Sequence, residues 1–363
     1  MMFDRSFYSH VVVVVLALAL PCGGSVPRAQ DDDDIEGSVG VFIAPPNPKV
    51  SGRKKAAVSK EKKGSTKGAK PAPTPDVNEE VEAALAEGNA ARDADPPRHA
   101  DAEQAYRRAT TLAPRDARAF AGLGNLYFDQ RRPDEAEENY RRAVELNPAD
   151  GLSHVYLAYT YNRLRRPEDA GRVAARAAQL LPNDYRSHHA LGLSRYGLKD
   201  YAGAEMALRR AFALSPSARE PYTTLGRVLV EQNRYRDAAP VYQKLLEFAP
   251  PEAAARAHAH VRYGSALQRA GRLDEAAAQY ESALRLGAGL RPRSRGYAYA
   301  VIRPHSELGL IRYTQGDAAA ARRHWETAVR LGSEQPRGGA HALGRVGLLA
   351  LDGNFAAARA QLE

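Results

Sequence analysis

Five prolines recur along the chain at a constant interval of 34 residues. They are Pro114, Pro148, Pro182, Pro216 and Pro250. Because proline cannot continue a helix beyond its first turn, this spacing predicts a helical unit that ends at the same point in each repeat. The sequence is also rich in Ala, Leu, Arg and Glu, which are strong helix formers. The interval therefore limits the chain to an array of similar helical repeats.

Residues 117–150 show the internal pattern of one repeat most clearly. Gly124 lies on the first predicted helix and Ala136 on the second, and their small size permits two antiparallel helices to approach closely. Tyr127 and Tyr140 fill the space beside them. We therefore predict a helix-turn-helix unit that is closed by the proline at its end.

This order of Leu-Gly, Tyr, Ala, an aromatic residue and Pro over 34 residues resembles the tetratricopeptide repeat family. The resemblance implies an all-α fold, a right-handed α-solenoid of about eight helix-turn-helix repeats, whose first helices line a concave groove that binds proteins. We predict that the solenoid covers residues 76–363. Its repeats are predicted at residues 81–116, 117–150, 151–184, 185–218, 219–252, 257–290, 302–335 and 340–363.

The resemblance also implies which side chains face the groove, namely those at positions 2, 5, 9, 12 and 13 of each repeat. The candidates for partner binding are Arg118, Asn125, Asp129, Tyr159, Asn162, Arg163, Arg186, His189, Tyr196, Arg227, Glu231, Gln268 and Arg269. Arg and Tyr often anchor interfaces, because a guanidinium binds a carboxylate through two hydrogen bonds and Tyr offers a rigid ring. We expect an extended or helical protein partner of acidic character. The alternative is a surface that is only solvated.

Two later features depart from the repeat. The segment 287–301 breaks the period, and its Arg291, Arg293 and Arg295 are candidates for a specific contact, since loops often carry function. The alternative is a tolerated insertion. The last repeat stops at Glu363 before its second helix is complete, and an apolar end without a polar cap requires cover. We therefore expect a partner or self-association at the C-terminal end.

Residues 1–30 have the pattern of a signal sequence or membrane anchor. The apolar run at residues 11–20 has the length of a signal-peptide core and is too short to span a bilayer. Cys22 leaves lipidation open as an alternative to cleavage, although Pro21 stands where bacterial lipoboxes place a small residue. A third interpretation is a buried strand. The N-terminus predicts an exported protein, periplasmic or associated with the cell envelope, and leaves anchoring open.

Residues 31–75 contain too few apolar side chains to form a core and are predicted to be a disordered linker, first acidic and then rich in Lys and Pro. The simplest interpretation is a solvated spacer. The alternative is a tether, in which the stretch from Lys49 to Lys70 contacts an anionic membrane or wall polymer. Nucleic acid is a weak candidate, because the stretch lacks aromatic residues on which bases would stack.

The sequence lacks the common catalytic patterns. Cys22 is the single cysteine, so neither a disulfide framework nor a thiolate metal site is available. Phosphate loops, His-Glu-x-x-His and Gly-x-Ser-x-Gly are absent. Four histidines lie at position 4 of their repeats, namely His154, His188, His260 and His305. We expect their side chains to pack against a neighbouring helix and not to bind a metal ion. We expect no cofactor, no metal and a non-catalytic scaffold of the cell envelope. The alternative is a structural accessory subunit of an envelope enzyme, secretion or pilus assembly complex.

Overall fold

The structure is a computed structural model that describes residues 77–249, 252–292, 294, 296–334 and 342–361. The predicted signal sequence with Cys22, the linker with the stretch from Lys49 to Lys70, and Arg293 and Arg295 lie outside the described residues. The described residues fall into two compact bodies. We call them the N-terminal body (residues 77–214) and the C-terminal body (residues 215–361).

The N-terminal body consists of consecutive helices joined by short turns. Its helices are α1 Val77–Arg92, α2 His99–Leu112, α3 Ala117–Asp129, α4 Pro133–Leu146, α5 Gly151–Arg163, α6 Pro167–Leu180, α7 Tyr185–Gly197 and α8 Tyr201–Leu214. Each odd-numbered helix packs most extensively against the helix that follows it. The prediction of an all-α fold in repeating helix pairs is confirmed here.

The C-terminal body continues the same pattern with two irregularities. Its helices are α9 Arg219–Glu231, α10 Tyr235–Glu247, α11 Ala253–Arg269, α12 Leu273–Gly287, a π-helical segment Ala298–Ile302, α13 Arg303–Thr314, α14 Ala318–Ser333, α15 Ala342–Leu351 and α16 Phe355–Ala360. Helix α11 starts four residues before the repeat predicted at 257. The π-helical segment leads directly into α13, at the predicted break in the period.

Helix starts and stops follow from local chemistry. In the N-terminal body, Asp116, Asp150 and Asp184 precede α3, α5 and α7, and each carboxylate accepts a hydrogen bond from the backbone N–H two residues later. Such caps satisfy N–H groups that have no partner within the helix. Pro148 lies two residues beyond the end of α4, where it stops the helix and starts the turn to the next cap. The aspartates that cap helix starts and the prolines that follow helix ends therefore both recur every 34 residues.

Close contact between helices depends on glycine placed against large rings. Tyr140 of α4 is fully buried, and a Cβ added to Gly124 of α3 would lie 2.7 Å from its ring. Tyr106 of α2 occupies the same kind of space beside Gly88 and Gly122. Any larger residue at these glycines would push the paired helices apart. In the C-terminal body, the rings that fill the corresponding spaces are Tyr242 beside Gly226, Tyr280 beside Gly264 and Trp325 beside Gly309.

No helix among the described residues combines the length and the apolar character that a membrane crossing requires.

We expect Gly124→Ala to lower the free energy of unfolding by about 1–3 kcal/mol, because the new methyl group overlaps the buried Tyr140 ring. Gly171→Ala is the matched control. Gly171 lies within α6, where the nearest atom to an added Cβ is 3.4 Å away. Relief of the glycine helix penalty should raise stability there by about 0.5–1 kcal/mol. Urea unfolding followed by circular dichroism measures both, and equal effects of the two variants would contradict the packing argument.

Candidate protein-binding face

The candidate groove residues lie on the first helix of each pair. We call the surface formed by these positions on α3, α5 and α7 the first-helix face of the N-terminal body. Helices α5 and α7 contact each other directly along it. Within the C-terminal body, the equivalent positions lie on α9, α11 and α13. The two faces are described separately.

A row of aromatic rings runs through the first-helix face of the N-terminal body. Tyr156 of α5 stacks with Tyr140 at 6.0 Å between centroids and meets Phe128 edge-on at 5.8 Å. Tyr159 meets Tyr156 edge-on at 6.0 Å, and the His189 ring of α7 lies 5.5 Å from Tyr159. Edge-on and offset contacts of this kind are favourable beyond the area they bury. Sequence reasoning missed Tyr156, whose signal was only its place one residue after an expected groove position.

Two residues assigned to the groove, Tyr159 and His189, are buried and bonded to each other. The Tyr159 hydroxyl donates to the backbone carbonyl of Arg186 at 3.1 Å and lies 2.9 Å from His189 Nδ1. The hydroxyl has one proton, and the carbonyl can only accept it. The consistent arrangement therefore has His189 Nδ1–H donating to the Tyr159 oxygen. This network joins α5 to α7.

The asparagines on this face also hold helices together. Asn125 is buried, and its Oδ1 accepts a 2.7 Å hydrogen bond from Tyr140 of α4. Asn162 donates to the carbonyl of Ala158 at 2.9 Å and to Ser194 Oγ at 3.0 Å. Because a buried amide without partners would be costly, these bonds account for both residue types structurally.

The arginines differ in how they are held. The Arg163 guanidinium lies 3.6 Å from the centroid of Phe128 and donates a 2.9 Å hydrogen bond to its backbone carbonyl. Arg186 is half-buried and paired with Asp184. Arg118 is the most accessible of the three, with 47% of its side chain exposed, and it pairs with Asp116 and with the exposed Glu82. The face therefore presents guanidinium groups next to a row of aromatic rings that is itself buried.

The same pairs set the charge state of two cap residues. Burial alone would raise the pKa of the Asp116 and Asp184 carboxyl groups. Hydrogen bonds from Arg118 and Arg186 outweigh burial and leave both pKa values below the ordinary Asp value. Both carboxylates are therefore ionised at neutral pH and keep their capping role.

The remaining candidates take varied environments. Asp129 Oδ2 lies 3.8 Å from Arg92 Nε, and the half-buried Tyr196 ring lies 6.1 Å from Tyr201. In the C-terminal body, Gln268 donates to Glu307 at 3.1 Å and accepts from Tyr280 at 2.7 Å. Arg269 and Arg291 are exposed, whereas Arg227 and Glu231 are half-buried on α9.

The histidines at position 4 contact protein groups. His154 and His188 bond to the carbonyls of Asp150 and Pro182, each at 2.9 Å, and His260 bonds to Gln279 at 2.8 Å. His305 Nδ1 lies 3.0 Å from His324 Nδ1, and burial, with His324 beside it, lowers the pKa of His305 to about 4. Within the described ranges, no cluster of three or more His, Cys, Asp or Glu side chains has an arrangement that would hold a metal ion.

We expect Arg163→Ala to lower the free energy of unfolding by about 1–2 kcal/mol, because it removes both the stacked guanidinium and a hydrogen bond between α3 and α5. Arg142→Ala is the matched control. Arg142 is exposed and lies 5.9 Å from the centroid of Phe120, so its loss should change stability by less than about 0.5 kcal/mol. Thermal unfolding compares the two variants. A loss at Arg142 as large as that at Arg163 would contradict the assigned role.

Comparison with known proteins agrees with the helix pairs. Models of the tetratricopeptide repeat match residues 117–150, 189–253, 223–291 and 306–363, which together exceed half of the chain. No curated protein matches the sequence.

Several solved structures are similar in fold. PilW, described as a widely conserved type IV pilus biogenesis factor, shares 18% identity at a TM-score of 0.51, over 61% of this chain and 97% of that chain. The APC/C hetero-tetramer Cut9–Hcn1 gives 15% identity and a TM-score of 0.54, over 74% of this chain and 52% of that chain, so this chain spans about half of the one it matches. PilF of Pseudomonas aeruginosa gives 20% identity and a TM-score of 0.49, over 59% and 95%.

The matching repeat models, the 34-residue period and the paired helices together show that the chain belongs to the tetratricopeptide repeat family.

Proposed function

We propose that the protein is a non-catalytic scaffold that binds another protein through the first-helix face of its N-terminal body. The observation that carries this proposal is the placement of Arg118, Arg163 and Arg186 on three successive first helices, next to a row of buried aromatic rings that packs these helices together. Arginine is among the residues that contribute most to the binding energy of protein interfaces. Repeats of this family serve in protein–protein interaction, which agrees with such a surface.

The charge of this face favours an acidic partner in an extended or helical segment. Arg118 is the accessible contact, because its pair with Glu82 joins two exposed side chains. Exposed ion pairs contribute only about 0–1 kcal/mol, so a partner carboxylate can replace Glu82 at small cost. Arg163 and Arg186 are held more firmly and would present a fixed geometry to the same partner.

We further propose that the protein acts in the cell envelope. The support is the apolar run at residues 11–20, which has the length of a signal-peptide core. The alternative function is a structural subunit of an envelope enzyme, secretion or pilus assembly complex, and the role of PilW as a type IV pilus biogenesis factor is in keeping with it. Contact of the Lys49 to Lys70 stretch with an anionic surface, and self-association through the C-terminal end, stay predictions.

We expect a photo-crosslinking amino acid at position 118 to capture a protein partner when the full chain is expressed in its native cells. The same amino acid at position 176 is the control, because Arg176 is also exposed but lies on the second helix α6. Mass spectrometry of the adducts identifies the partner. Adducts formed equally at both positions, or only at position 176, would contradict binding through the first-helix face.

For a partner identified in this way, Arg118→Glu should weaken binding by about tenfold, because it places like charges in contact with an acidic segment. Arg176→Glu should leave the affinity within about twofold, since it lies on the other helix of its pair. Isothermal titration calorimetry measures both. A partner that binds Arg118→Glu as tightly as the unchanged protein is not acidic at this contact.

We expect the mature protein to begin after the apolar run, since signal peptides are removed on export. Intact-mass measurement of protein recovered from its native envelope checks this, with peptide sequencing of the first residues. An acylated Cys22 at the N-terminus would support an anchored form instead. A full-length mass that retains Met1 in the soluble fraction would contradict export.

A further inference from the structure

The C-terminal body carries an element that the repeat pattern does not explain. Between α12 and α13, the chain returns across α11, and the π-helical segment contacts α11, α12 and α14. We call residues 296–299, which are Gly, Tyr, Ala and Tyr, the anchor segment. It contacts His258 of α11. His258 occupies position 2 of its repeat, one of the positions that the family pattern directs to the groove.

His258 is the centre of this contact. Its side chain is buried, with 3% of the residue exposed, and its Nε2 lies 3.2 Å from the carbonyl oxygen of Gly296. A carbonyl oxygen only accepts hydrogen bonds, so Nε2 carries the proton. The other ring nitrogen, Nδ1, is buried and has no hydrogen-bond partner. The geometry therefore suits the neutral ring and offers nothing to a second N–H.

The anchor segment is shaped to the ring. Gly296 has a φ of +85°, and a Cβ there would lie 2.7 Å from His258 Cε1. Tyr299 meets the His258 ring edge-on, with 5.0 Å between centroids. Glycine at position 296 thus allows both the left-handed backbone and the close approach of the imidazole.

The charged and titratable groups around this contact are mainly cations and phenols. Arg262, on the same helix, lies 6.0 Å from the centroid of Tyr299, and Arg303 of α13 lies 5.0 Å from it. Tyr242 of α10 interacts with both Arg262 and Tyr299. From α12, Gln279 faces His260 and not His258. A charge on His258 would therefore add a cation beside Arg262.

We propose that His258 is a pH-sensitive anchor: the neutral ring holds residues 296–299 on α11, and protonation releases them and uncovers the equivalent positions of α11 in the C-terminal body. The anchoring itself is independent of partner binding. Its use in controlling access to a partner rests on the proposed function, extended from the N-terminal body to these positions of the C-terminal body.

The direction of the pH dependence follows from the environment. Burial lowers the pKa of His258, and Arg262 lowers it further, while the bond to Gly296 raises it in part; the result is a pKa below the ordinary value. The ordinary histidine pKa is about 6.5, so His258 binds a proton more readily when residues 296–299 are released than when they are anchored. The anchoring contribution is complete above about pH 6.5 and is lost as the pH falls through the pKa of the anchored state.

Hydrogen–deuterium exchange of the full chain tests the anchor directly. Protection factors, corrected for intrinsic exchange rates, should fall at residues 296–299 as the pH is lowered. The total fall should be about tenfold for each unit by which anchoring lowers the pKa of His258. It should be complete once the pH is below the pKa of His258 in the anchored state. Peptides of α6, in the other body, should keep their protection over the same pH range. Unchanged protection of residues 296–299 from about pH 7.5 to 4 would overturn the proposal.

Two variants separate His258 from the other histidines. His258→Gln keeps a neutral N–H donor, so its residues 296–299 should lose their pH dependence. His260→Gln is the matched control, because His260 lies on the same helix, also has a lowered pKa and bonds to α12 instead. It should behave like the unchanged protein. If His258→Gln retains the full pH dependence, the proposal is wrong.

A measurement on the unchanged protein keeps the test valid if either variant fails to fold. NMR titration of the His258 Cε1–H signal should give a pKa below 6.5, and a pKa at or above 6.5 would overturn the anchor.

A photo-crosslinking amino acid at position 269 of α11, where Arg269 is exposed, then tests access to a partner at about pH 7.5 and about pH 4. If residues 296–299 are released but adducts at position 269 do not increase, the proposed control of partner access is wrong, while the anchor itself stands. Absence of adducts at position 118 would instead contradict the proposed function.

Discussion

Contact between glycine and a large buried ring is the interaction on which the other features of this fold depend. Tyr140 against Gly124, and Tyr106 between Gly88 and Gly122, set how closely paired helices approach. At that separation the Tyr140 hydroxyl reaches Asn125 on the facing helix at 2.7 Å. The hydrogen bond and the ring packing therefore require each other, because a wider spacing would leave both polar groups buried without a partner.

The candidate binding face uses the same elements. Tyr156 joins the row of rings because Tyr140 already lies behind it, and Tyr159 continues the row to His189. Arg163 then covers Phe128 from the solvent side. The face is thus an extension of the core in which most polar groups are committed to the fold, while the Arg118 side chain stays 47% exposed.

Departures from the repeat define the C-terminal body. The segment before α13 brings a glycine and a tyrosine onto α11, where His258 occupies a position that the repeat would direct to a partner. Chain from the same body thus lies where the family pattern places a ligand. The neutral imidazole that this contact requires connects local packing to pH through desolvation of one ring.

The sequence determined the period, the helix pairs and the positions of small residues, because each depends on chemistry within a repeat or between its two helices. Tertiary structure decided what the side chains on the first helices do. Tyr159 has a residue type that suits a binding surface, yet it is buried, since its partners Arg186 and His189 come from the next repeat, whose facing residues a position within one repeat does not specify. The role of His258 likewise depends on a segment 38 residues away in sequence.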